Sequence, residues 1–71
     1  MACVNPDGTV SASAKAILAA LDRASAPEDV AAAANLPLFR VRSAMRELVA
    51  AGLVVATDSG HALTPEGRRR L

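Results

Sequence analysis

Three arginines, Arg40, Arg42 and Arg46, fall within seven residues of one another, and Ser43 lies among them. A guanidinium can donate two parallel hydrogen bonds to a guanine edge, or it can hold a phosphate. A serine hydroxyl can do either more weakly. A second basic cluster, Arg68-Arg69-Arg70, stands near Leu71. Both clusters also have an ordinary reading: a solvated face with each arginine paired to an acid, or a complement to the negative end of a helix. The formal net charge is only +1, so bulk charge does not advertise a polyanionic partner. What matters is where the charges sit.

Phe39, the only aromatic residue, directly precedes Arg40. It can touch a thymine methyl, anchor a protein partner or fold back as core. Leu38 has the same choices, with core as its ordinary role. Farther on, Asp58-Ser59-Gly60-His61 has the composition of a turn tip. Asp58 would repel phosphate, whereas Ser59, the Gly60 backbone and His61 can donate hydrogen bonds. His61 is a candidate pH switch, although a lone exposed histidine is ordinarily inert.

Other chemistries lack their residues. Cys3 is the only cysteine, so no internal disulfide forms, and one thiol with one histidine does not make a metal site. No Cys-His pair with a plausible orienting residue, no glycine-rich phosphate loop and no clustered carboxylate pair that would make a catalytic constellation is present. We therefore expect no enzyme, no metal and no cofactor. No run of about 18 apolar residues and no signal peptide is present, so a cytoplasmic protein without a membrane contact is expected. The Ala- and Arg-heavy usage fits a GC-rich bacterium or its phage.

The elements that must position these residues follow from periodicity. Residues 1–10 contain Asn5-Pro6-Asp7-Gly8, a turn signature, and are expected to form a flexible N-terminal arm. Ser11 or Ser13 can cap a first helix to Ala24, with Ala14, Ile17, Leu18 and Leu21 on one face. Ser25-Ala26-Pro27-Glu28 has the form of a capping box for a second helix ending near Ala34. Asn35 tolerates the left-handed conformation that stops helices. A third helix is expected over Pro37 to Ala51, with Val41, Ala44, Met45 and Leu48 as its apolar stripe and Gly52 as its stop. That places Phe39, Ser43 and Arg46 on the opposite side, flanked by Arg40 and Glu47.

Leu53 to Thr57 and His61 to Leu63 are expected to pair as a hairpin around Asp58-Ser59-Gly60. Thr64-Pro65-Glu66 then opens a last short helix. With 71 residues the chain is one domain. A domain of this size buries only about 60% of its unfolded surface. Many of its apolar residues are alanine, so the core is thin, and a homodimer or another partner could add burial.

Three helices followed by a hairpin is the order of a winged helix-turn-helix, a mainly α (α+β) fold, here over residues 11–71. The segment from Val30 to Pro37 resembles the second helix and turn of bacterial winged helix-turn-helix regulators. Val41 to Val54 is similar to their recognition helix and its exit into the wing. Leu63-Thr64-Pro65-Glu66-Gly67 resembles the Leu-Thr-x-x-Gly pattern that follows the wing in MarR-type proteins. The resemblance implies a sequence-specific double-stranded DNA-binding protein, a small transcription regulator with its third helix in the major groove. It implies contacts from Leu38, Phe39, Arg40, Arg42, Ser43 and Arg46, and from Ser59, Gly60, His61, Arg68 and Arg69. MarR-type proteins continue into a long dimerisation helix, which this chain does not carry, so a different homodimer, a fragment or a monomeric module is expected. The alternative reading is a protein-interaction module whose partner docks on Leu38 and Phe39.

Overall fold

In the computed structural model, which describes residues 9–71, prolines open three helices and left-handed residues close two of them. The order is α1 (Ala12–Ala20), α2 (Pro27–Ala34), α3 (Leu38–Ala50), β1 (Val54–Thr57), β2 (Gly60–Leu63) and α4 (Pro65–Arg69). The described residues thus form an α+β fold of four helices and one two-stranded antiparallel sheet. Residues 1–8 of the expected arm lie outside the described residues. Val10, assigned to that arm, is half-buried against the core. No helix among the described residues is long and apolar enough to cross a membrane.

Ser11 is the cap of α1, and its hydroxyl accepts the Ala14 N–H at 3.1 Å. The helix stops at Ala20, earlier than the expected Ala24. No residue here offers a left-handed stop. Instead the amides of Asp22 and Arg23 bond three residues back, to Ala19 and Ala20, so the last turn tightens. The chain must then be extended at Ala26 (φ −71°, ψ 140°), because a residue before proline avoids the helical region.

That same restriction overturns the expected capping box. Ala26, not Ser25, is the cap of α2, and no side chain bonds the helix end. Pro27 takes the first helical position, and Glu28 and Asp29 occupy the positive end of the helix. The far end behaves as the residue types require. Asn35 is left-handed (φ 57°, ψ 48°), its N–H bonds to Ala32, and the Leu36 N–H reaches back to Ala31. This paired pattern satisfies the last carbonyls. Pro37 and Ala51 then flank α3 as caps rather than belonging to it.

The core is small and dry. Ile17, Leu18, Val30, Val41 and Leu48 are the largest fully enclosed side chains, and no polar or charged residue among the described ones is buried. The α3 stripe is buried as expected: Val41, Ala44, Met45 and Leu48. Gly52 (φ +78°) ends α3 with a second left-handed stop, in which its N–H bonds to Val49 and that of Leu53 to Leu48. Leu53 buries its side chain, and β1 starts one residue later than expected. The strands pair Val54 with Leu63 through to Thr57 with Gly60, leaving only Asp58 and Ser59 in the turn.

α4 is stitched to the exit of α3. The Thr64 N–H bonds to the Leu53 carbonyl at 3.1 Å, and its hydroxyl donates to the Gly52 carbonyl at 2.7 Å. The same hydroxyl accepts the Gly67 N–H at 3.0 Å. Gly67 lies so close that a Cβ there would stand 1.9 Å from the Leu53 carbonyl oxygen. Both the Thr and the Gly of the Leu-Thr-x-x-Gly pattern therefore have physical reasons. Backbone cannot yield as a flexible side chain would, so Gly67→Ala is expected to lower stability by about 1–3 kcal/mol. Urea denaturation checks this; an unchanged midpoint would show that α4 is not seated as described.

Candidate nucleic-acid interface

α3 turns about 100° per residue, so the stripe that faces the core leaves an outer line through Phe39, Ser43 and Arg46. All three are exposed, as are the flanking Arg40 and Arg42. None of the three arginines forms an ion pair with another described residue. Within the described residues they stand on a solvated helix face with no acid bonded to them. Leu38, in contrast, is half-buried and packs on the core. Phe39 is 71% exposed, so it is not core and has no apolar neighbour in Leu38.

Two grooves flank α3. One, of about 450 Å³, runs between α3 and the hairpin, with Arg42, Met45, Arg46 and Val49 on one wall and Ala56 and His61 on the other. The second, of about 240 Å³, lies toward the start of α1 and is lined by Phe39, Arg40, Ser43 and Glu47 together with Ser11 and Ser13. The outer ridge of α3 thus separates the groove that carries Arg42 and Arg46 from a smaller one that carries Phe39, Arg40 and Glu47. Sequence reasoning missed Val49 and Ala56. Val49 stands three residues after Arg46 and seven after Arg42, a spacing that puts it on their side of the helix.

The hairpin is arranged differently from the sequence expectation. The His61 N–H donates to the Ser25 carbonyl at 3.0 Å. A Cβ at Gly60 (φ +143°) would lie 2.2 Å from that same carbonyl oxygen. Gly60 and His61 therefore dock on the connection between α1 and α2 and are not a free tip. The His61 amide is already used, and its Nδ1 is enclosed without a hydrogen-bond partner among the described residues. Only Asp58 and Ser59 project, with Ser59 Oγ 3.4 Å from Thr57 Oγ1. Nothing local in the sequence marks Ser25 as the partner of this strand.

The C-terminal arginines are paired. Arg68 reaches Asp22 at 2.9 Å, Arg69 bonds Glu66, and Arg70 lies 3.7 Å from the other Glu66 oxygen. Exposed pairs of this kind contribute about 0–1 kcal/mol, so they neutralise charge more than they stabilise the fold. Arg68 and Arg69, both sequence candidates for phosphate contact, offer less free charge than the arginines of α3. Asp22 lies far from Arg68 along the chain, so spacing could not reveal the pair. Among the described residues no group of three His, Cys, Asp or Glu could hold a metal ion, and Cys3 lies outside them. The chain matches no family model, no curated protein and no solved structure.

The docking of β2 has a direct readout. The His61 amide, bonded to Ser25, should exchange its hydrogen with solvent much more slowly than the amides of Asp58 and Ser59. Equal exchange at all three positions would mean that the hairpin stands free of the α1–α2 connection.

Proposed function

We propose that this chain is a winged helix-turn-helix protein that binds double-stranded DNA sequence-specifically, as a small cytoplasmic transcription regulator of bacterial or phage type. The observation that carries this reading is the outer face of α3. Arg40, Arg42 and Arg46 are exposed there without an acidic partner among the described residues, whereas the arginines of α4 are paired. Free guanidinium groups on one helix suit phosphates and guanine edges. α3 has 13 residues, a length of about 20 Å, and a helix of this diameter fits a major groove about 12 Å wide.

The hairpin supplies the second wall. With α3 seated, the groove between Arg42, Arg46 and Ala56 faces the ridge of one phosphate backbone. Ser59, projecting beside Asp58, is the hairpin residue best placed to reach the duplex. Arg68 and Arg69 contribute only by exchanging their carboxylate partners for phosphate. The second reading, a protein-interaction module, draws on the exposure of Phe39. The cationic surroundings of that ring favour the nucleic acid.

The test is binding of the Arg40→Ala, Arg46→Ala double variant to duplex DNA at low salt, followed by fluorescence anisotropy. Each well-placed arginine contributes about 1–3 kcal/mol, so the variant should bind roughly 30-fold more weakly or worse. Its log affinity should also fall less steeply with log salt, by about 0.9 for each phosphate that is no longer neutralised. A folded double variant that binds as the wild type does would contradict the proposal.

A further inference from the structure

Phe39 is the chain's one aromatic residue, and it is 71% exposed. Burying such a side chain stabilises a fold by about 1.5–3 kcal/mol, and a core this thin forgoes that contribution. The ring is therefore not serving the fold of this chain. Phe39 is the second residue of α3, and helical side chains lean back toward the N-terminus. The ring thus covers the leading end of the helix. Ser43 and Arg46 continue its line, and Arg40 and Arg42 stand to either side.

The surroundings discriminate between occupants. Among the described residues the other large exposed apolar side chains are Val49, Val55 and Leu71, which lie at the far end of α3, on β1 and at the last residue. Leu38 is turned to the core. Among the described residues Phe39 is consequently a single large apolar point on a polar helix face that carries Arg40, Arg42, Ser43 and Arg46, not the centre of an apolar patch. An aromatic that anchors a protein partner works within a ring of contacts that excludes water. Here the groove beside Phe39 is lined by Arg40, Ser43 and Glu47 of α3 and by Ser11 and Ser13, with Ala44 as its one other apolar residue. A DNA major groove offers the matching chemistry, with phosphates for the cations and the thymine C5-methyl as its apolar group.

We infer that Phe39 is a specificity-determining residue, its ring packing on a thymine methyl so that the bound site requires thymine at one position. The inference rests on the DNA-binding reading above and deepens it. The wild-type chain and Phe39→Ala are each used to enrich duplexes from a random-sequence library. Each thymidine of the enriched duplex is then replaced in turn by deoxyuridine, which removes only the methyl. For the wild type, one replacement should weaken binding about fourfold, the factor expected for burying one methyl-sized group. Phe39→Ala should bind the thymidine and deoxyuridine duplexes equally, and Phe39→Leu should keep part of the preference. Unchanged melting temperatures verify that both variants are folded. If no deoxyuridine replacement weakens the wild type, or if Phe39→Ala discriminates as well, the inference is overturned while DNA binding stands. If the wild type retains no duplex even at low salt, the DNA-binding reading falls and the inference falls with it.

Discussion

At the end of α3 the chain must reverse without leaving the last carbonyls of the helix unsatisfied, and it does so at Gly52 and Leu53. The left-handed Gly52 lets two amides bond back to Val49 and Leu48. The carbonyls of Gly52 and Leu53 are then taken by Thr64, which also caps α4. Gly67 closes on the Leu53 backbone where no larger residue fits. The hairpin leaves and returns within this knot, so its position beside α3 is set by these bonds together with Leu53, Val54 and Leu63, which pack into the core. A core with few bulky residues needs such a constraint, because truncating one enclosed leucine alone would remove about 2–5 kcal/mol.

A second tie holds the other end of the hairpin. Pro27 forces Ala26 to be extended, and the Ser25 carbonyl that would otherwise face a helix is presented to the His61 amide. Held at both ends, the hairpin forms a fixed wall for the groove along Arg42 and Arg46. The charges follow the same division. Asp22 and Glu66 engage the arginines of α4, and Glu28 and Asp29 sit at the positive end of α2. Among the described residues no acid forms an ion pair with the arginines of α3, so a chain of net charge +1 still exposes three guanidinium groups on one helix.

Local physics is legible in the sequence, and pairings across the fold are not. Asn35 and Gly52 mark the ends of α2 and α3 because few residue types tolerate a left-handed backbone. The Val41-Met45-Leu48 stripe marks the buried side of α3 because its period is helical. The cap of α2 falls at Ala26 and not at Ser25 because the restriction that Pro27 places on its neighbour outweighs a capping pattern. Gly60 and His61 read as a free tip because their partner, Ser25, belongs to a distant connection. Arg68 likewise hides its pairing with Asp22. Phe39 has three readings from sequence, and only its exposure in the fold removes the core reading.

In the proposed function the outer face of α3, with the projecting tip of the hairpin, meets duplex DNA. The most direct measurement is an NMR titration of the isotope-labelled chain with a random-sequence duplex at low salt. Chemical-shift changes are expected to concentrate on Phe39, Arg40, Arg42, Ser43, Arg46, Asp58 and Ser59 and to fade as salt is raised. Changes confined to α1 or to the arginines of α4, or no changes at all, would contradict that proposal.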